Sequence, residues 1–361
     1  MEKYRVGIVG ATGMVGQRFI SLLKDHPWFE VNCVAASARS AGKTYREAVG
    51  ERWAFAWEIP EKVAGMTVVD AADIDEVSKH VDFVFCAVDM KKDEIRALEE
   101  AYAKHEIPVV SNNSACRGIE DVPMVVPEIN ADHLAVIEAQ KKRLGTKNGF
   151  IAVKPNCSIQ SYVPALTPLL DFEPEKVSVC TYQAISGAGK TFKTWPEMVD
   201  NVIPYIGGED EKSETEPLKL WGHVEDGKIV NATLPVISAQ CLRVACSDGH
   251  MAAVSVSFKK KPTIEQIKER WANYETEAQR LELPSAPKPF LQYFEDPSRP
   301  QTRLDRDFQN GFGVSIGRLR EDKLFDYRFV CLSHNTVRGA AGGGILTAEL
   351  LCRKGYIPHR V

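Results

Sequence analysis

The chain has 361 residues, of which 44% are hydrophobic and 26% charged, with a formal net charge of -4. That length exceeds one ordinary core and implies two domains, while the near-balanced charge gives no reason to expect nucleic acid or an anionic membrane as partner. No apolar run approaches the ~20 residues of a membrane span. Residues 1–9 lead straight into a strand pattern without signal-peptide features. The nine cysteines form no CxxC pair and no Cys/His cluster with zinc-ligand spacing, so a reduced, cytoplasmic protein without a metal is expected.

In chain order, residues 4–9 alternate as a strand and a glycine series follows at once. Residues 13–23 predict a helix with Val15, Phe19, Leu22 and Leu23 on one face. Strands are expected at 30–36, 66–69, 81–88, 107–110 and 150–153, with a helix at 93–104 carrying Ile95, Leu98 and Tyr102. Strands alternating with helices argue for a doubly wound, Rossmann-type parallel sheet. After Pro155 the texture changes. Strands are expected at 176–185, 229–237, 239–246 and 251–258, with a hairpin from 311–318 and 325–332. Helices are expected at 190–203 and 263–277, an acidic loop at 209–216, and a small-residue helix at 337–352. The fold class is α/β: a Rossmann-type N-terminal domain (1–156, completed by 336–361) and an α+β domain (157–335) with a largely antiparallel sheet.

The glycine series has Gly7, Gly10, Gly13 and Gly16 at three-residue spacing between the first strand and first helix. Glycines there let the backbone turn sharply and approach a pyrophosphate seated on helix N–H groups. An NAD site usually carries an acid at the end of the second strand. Here that strand runs into Ser37, Arg39, Ser40 and Lys43, whose hydroxyls and cations suit a 2′-phosphate and hence NADP.

The segment Lys154-Pro155-Asn156-Cys157-Ser158 follows the expected strand at 150–153 and opens an apolar stretch at 159–170 that predicts a helix. A thiol at a helix N-terminus has its pKa lowered by the dipole, and nearby N–H groups can stabilise an oxyanion. Most cysteines are simply small buried hydrophobes, as Cys86, Cys180 and Cys331 read here; Cys157 stands apart by its strand-to-helix position. A base must accompany such a nucleophile. Arg243 and His250 flank a Ser-Asp-Gly turn, which would set them at one end of a sheet. Arg243 lies in an apolar strand, where its fork needs an anion such as a carboxylate. Arg117 and Asn113, after the fifth strand, could hold a phosphate. Glu216 and Lys219 lie one helical turn apart, which is also the spacing of a plain surface ion pair.

In order along the chain stand GATGMVG, SARSAGK, SNNSACR, PNCSIQ, TYQAISGAGK, ETEPLK, CLRVACSDGH, RLDRDFQNGFGVSIGRLRED and SHNTVRGAAGGG. With these motifs the chain resembles the aspartate-semialdehyde dehydrogenases, of the archaeal and fungal-like branch, nearly end to end. The resemblance implies NADPH-dependent reduction of L-aspartyl 4-phosphate to L-aspartate 4-semialdehyde and phosphate, for lysine, threonine and methionine synthesis. It implies Cys157 as nucleophile, His250 as acid/base and Gln183 as the residue orienting substrate. By the same likeness Arg243 would meet the substrate α-carboxylate, Glu216 its ammonium, and Arg117, Asn113 and Lys219 its phosphate. The NADP pocket would comprise Gly10, Thr12, Gly13, Met14, Val15, Gly16, Ser37, Arg39 and Ser40, with Asn335 and Thr336 from the C-terminal segment. Cys116 departs from many relatives without altering the role of Arg117. A homodimer or homotetramer formed through the second domain is also implied. The alternatives are an N-acetyl-γ-glutamyl-phosphate reductase, whose substrate is one methylene longer and acylated at nitrogen, a glyceraldehyde-3-phosphate dehydrogenase, and a retired NADP-binding sensor.

Overall fold

Six short strands build the first sheet: β1 (Tyr4–Val9), β2 (Phe29–Ala36), β3 (Val69–Asp70), β4 (Phe83–Cys86), β5 (Val109–Ser111) and β6 (Ile151–Val153). In the computed structural model, which describes residues 2–359, they are parallel and ordered β3-β2-β1-β4-β5-β6. Strands β4 to β6 are buried along their whole length, because helices cover both faces of such a sheet. Order reverses between β1 and β4, which opens a crevice at their carboxyl ends.

The second sheet uses β7 (Pro174–Gln183), β8 (Val202–Ile203), β11 (Val236–Val244), β12 (His250–Phe258), β13 (Leu291–Phe294), β14 (Val314–Glu321) and β15 (Tyr327–Ser333), and a separate hairpin pairs β9 (His223–Glu225) with β10 (Lys228–Val230). Its order is β13-β14-β15-β12-β7-β11-β8. The β7–β11 and β13–β14 pairs are parallel and the others antiparallel. Every second residue of β12 is buried, so one face of the sheet meets the core. The helix Gly342–Arg353 packs on the first sheet, with Ile345 and Leu346 in the same core as Phe19 and Phe85.

Four local expectations are corrected. Residues 190–203 are not a helix: one helical turn, Pro196–Met198, forms there, and the stretch ends in β8. Thr191 and Thr194 bond each other's backbone and side chains, a competitor to helix. Residues 229–237 split between β10 and β11, with Pro235, which has no N–H to give a ladder, between them. The stretch 159–170 breaks into the pieces Ser158–Gln160, Val163–Leu166 and Thr167–Phe172, because Pro164 and Pro168 remove helix donors.

The acidic run at 209–216 is no loop but the helix Glu209–Leu220, with three acids in its first turn where the dipole favours them. Pro217 sits inside it. The carbonyl of Ser213 that Pro217 cannot bond accepts from the Tyr162 hydroxyl at 2.7 Å instead.

Candidate active site

Three strand ends of the second sheet meet the end of β6. Arg243 on β11 is in direct register with Gln183, the last residue of β7, and β12 opens on the other side of β7 with His250. The two strands joined by the Ser-Asp-Gly turn are therefore not neighbours; the turn crosses the end of β7. From the first sheet, β6 ends at Val153 and delivers Lys154, Asn156 and Cys157 into the same space.

His250 Nε2 lies 3.5 Å from Cys157 Sγ, while Nδ1 accepts the Ala184 N–H at 3.0 Å. With Nδ1 accepting, the neutral imidazole carries its proton on Nε2 and offers it toward sulfur. Burial, and next the Arg243 charge, push His250 well below the ordinary histidine range. The acid/base group expected from the sequence thus rests as a neutral hydrogen-bond donor.

The expected lowering of the Cys157 pKa is contradicted. Burial pushes the thiol up and Glu209 adds to this, while Lys154, Arg117 and Arg243 pull it down. Only the single turn Ser158–Gln160 follows Cys157, so there is little helix dipole to act on it. The Ser158 N–H is also unavailable to an oxyanion, since Asn156 Oδ1 accepts it at 2.7 Å. A side chain on Gly339 would bring its Cβ within 2.9 Å of the Cys157 Cβ, so the glycine lets the C-terminal segment wall the thiol closely.

Arg243 is buried, gives one bond to the Ala184 carbonyl at 2.7 Å, and has no carboxylate partner among the described residues. Burial lowers its pKa, the mark of a cation short of anions. Gln183 donates to Glu209 Oε2 at 3.2 Å. Glu209 was not singled out from the sequence. It is buried, and its Oε1 accepts from Asn156 Nδ2 and Lys212 Nζ, both at 2.9 Å. Its signal was helical spacing: the buried residues 209, 213, 216, 217 and 220 share one face, but polar side chains there hide from a hydrophobic pattern.

Glu216 accepts from Arg117 at 2.9 Å and from the Asn156 N–H at 2.5 Å. This is a buried link between β5 and the helix Glu209–Leu220, not a surface pair. Lys219 spends its Nζ on the carbonyls of Arg117, Ile119 and Val122, which holds the loop carrying Arg117. Asn113 donates its Nδ2 to the buried Glu99 at 2.9 Å. Cys116 is fully buried, leaving its neighbour Arg117 on the site side.

At the β1–β4 crevice, Gly10, Thr12, Gly13, Ser37, Arg39 and Ser40 line one cavity of about 830 Å³, together with Lys43, Arg52 and Asp70. Gly10 has φ +89°, and a Cβ there would lie 2.3 Å from the Ala87 carbonyl oxygen. The crevice therefore needs glycine, and its rim of hydroxyls and cations fits a phosphorylated dinucleotide. Asp70, at the end of β3, and Asp89 are the acids that line this cavity, and Asp70 Oδ1 is held by the Ala72 N–H at 3.0 Å. Met14 and Thr336 line a smaller neighbouring cavity with Ser186. Val15 is half-buried against the core, and Gly16 packs against Gly10 and Ala11, so both shape the turn from behind. Asn335 braces the site: Oδ1 accepts the Gly249 N–H at 2.8 Å and Nδ2 donates to Ser186 Oγ at 2.9 Å.

Among the described residues, no helix is long and apolar enough to cross a membrane and no His/Cys/Asp/Glu group is placed to hold a metal ion. Residues 5–137 match the family described as semialdehyde dehydrogenase, NAD binding domain, and residues 166–338 the semialdehyde dehydrogenase, dimerisation domain. The aspartate-semialdehyde dehydrogenase of Schizosaccharomyces pombe is 45% identical, covering 98% of this chain and 99% of its own. That of Archaeoglobus fulgidus is 43% identical, covering 98% and 100%. The crystal structure of the Candida albicans aspartate semialdehyde dehydrogenase with NADP superposes with a TM-score of 0.89 at 39% identity, covering 99% of this chain and 100% of that one. On these grounds the chain belongs to the aspartate-semialdehyde dehydrogenase family.

Proposed function

We propose that this enzyme reduces L-aspartyl 4-phosphate to L-aspartate 4-semialdehyde and phosphate with NADPH, through a thioester on Cys157, in the synthesis of lysine, threonine and methionine. The observation that carries this reading is Arg243, a buried guanidinium without a carboxylate partner among the described residues, with one strand, β7, between it and the His250 of the His250–Cys157 pair. A substrate α-carboxylate answers that charge bidentately.

The Cys157 thiolate attacks the acyl carbon, and the bond to the phosphate oxygen breaks. Arg117 receives the phosphate; Lys219 acts through Arg117, whose loop it pins. The dinucleotide, when bound, supplies the hydride. The oxyanion formed on the acyl carbon faces the His250 Nε2–H, and its collapse expels the thiolate and leaves the aldehyde. Gln183 and the neighbouring Glu209 orient the substrate, and Glu209 with Glu216 favours a free ammonium. Two buried carboxylates beside the site argue against the longer, N-acylated substrate of the rival reductase.

NADP is preferred over NAD because Ser37, Arg39, Ser40 and Lys43 offer hydroxyls and cations to a 2′-phosphate. The nucleotide domain is residues 1–156 with the C-terminal helix, and residues 157–335 form the catalytic domain. A second copy pairs against the outer face of the second sheet, where Tyr182, Val202 and Val236 are exposed. The test is NADP⁺ reduction with L-aspartate 4-semialdehyde and phosphate, beside N-acetyl-L-glutamate 5-semialdehyde. Turnover of the first alone supports the reading; turnover of the longer aldehyde overturns it.

A further inference from the structure

Lys154 is the one charged group of the PNCSIQ region that the reaction above leaves unused. It follows β6 directly, its side chain is buried, and its Nζ bonds only the carbonyl of Pro155 among the described residues. The carboxylates nearby are already committed. Glu216 serves Arg117 and the Asn156 N–H, Glu209 serves Lys212, Asn156 and Gln183, and Glu128 takes Arg338 through both oxygens. A buried ammonium without an anion is costly, and burial accordingly pulls Lys154 down to about 7.

Cys157 has the complementary deficit. Its thiol is pushed up by burial, and the neighbouring His250 is neutral and can offer a hydrogen bond but no charge. Lys154 and Cys157 lie three residues apart just after β6, and both pack against the C-terminal segment. A Cβ on Gly339 would sit 2.9 Å from the Cys157 Cβ, and a Cβ on Gly343, past the kink at Ala340, 3.2 Å from the Lys154 Cδ. Charged groups acting on the pair are Arg117, Arg243, Arg338, Glu209 and Glu216.

We propose that Lys154 is a positioning residue that supplies the counter-ion of the Cys157 thiolate, the ammonium and the thiolate forming together so that each offsets the other's burial. Burial favours the state with the proton on sulfur and the amine uncharged. Moving that proton from sulfur to nitrogen gives thiolate and ammonium with no change in net charge. The proposal rests on the reading of Cys157 as nucleophile, and the broken helix after Cys157 explains why a side-chain cation is needed in place of a dipole.

The test is the pH dependence of iodoacetamide alkylation at Cys157 in the full-length protein, followed by mass spectrometry of the peptide carrying it, with no substrate present. Lys154→Met and Lys154→Gln remove the charge and Lys154→Arg keeps it; NADPH binding checks that each variant is folded. Both neutral variants are expected to raise the midpoint by about one pH unit, a roughly tenfold slower alkylation at pH 7, with Lys154→Arg, whose guanidinium is always charged, at or below the wild-type midpoint. Neutral variants with the wild-type midpoint overturn the proposal and leave the thioester route standing. A wild-type Cys157 no more reactive than the other cysteines overturns both.

Discussion

His250 presents Nε2 to Cys157 Sγ at 3.5 Å because the Ala184 N–H occupies its Nδ1. One backbone hydrogen bond therefore fixes the tautomer, and with it the role of the ring as donor. His250→Ala is expected to lower kcat by about 10²- to 10⁴-fold with little change in NADPH binding. Since His250 is held well below its ordinary range, the kcat/KM profile should show no wild-type limb near pH 6.5 that disappears in this variant. Steady-state kinetics between pH 5 and 9 check both points.

Arg243 has no carboxylate partner among the described residues. Arg243→Lys keeps the charge but loses the fork, so KM for the aspartyl substrate should rise by about 10- to 100-fold while kcat changes less. An unchanged KM would remove Arg243 from the carboxylate site.

Arg39 lines the dinucleotide cavity beside Ser37 and Ser40. Arg39→Ala is expected to weaken NADPH by about tenfold and NADH hardly at all. Titration of both dinucleotides decides it; equal losses would place the 2′-phosphate elsewhere.

Buried histidines set the response to acid. His133, His250 and His334 are all lowered by burial, His334 to about 4. Their folded values lie below the unfolded ones, so on acidification the unfolded chain takes up protons that the folded chain refuses. Stability contributed by their neutral forms is fully present above about pH 6.5 and is lost as pH falls toward 4. Thermal unfolding should show Tm falling through this window, and His334→Gln should flatten the slope.

Much of this architecture is legible in the residues themselves. The strands of the first sheet announce themselves as short β-rich runs, and Gly10 marks the turn that the crevice requires. Cys157, Gln183, Arg243 and His250 are all named by motif, and the fold brings them to one place. The helix Glu209–Leu220 escapes a hydrophobic pattern because its buried face is made of Glu209, Ser213 and Glu216, which a polar site rewards. The two strands bearing Arg243 and His250 look like a hairpin because sequence proximity hides β7 between them. The reach of Lys219 and Asn113 depends on which carbonyls and acids the fold sets beside them, which spacing alone does not encode.

The central claim is the acyl thioester on Cys157, and intact-protein mass spectrometry tests it most directly. Enzyme mixed with L-aspartate 4-semialdehyde and NADP⁺, without phosphate, should form one NADPH per subunit and gain an aspartyl group on Cys157. Added phosphate should discharge that group and start turnover, and Cys157→Ala should form neither adduct nor NADPH while still binding the dinucleotide. Absence of the adduct during phosphate-dependent turnover, or an adduct on another residue, would contradict the account.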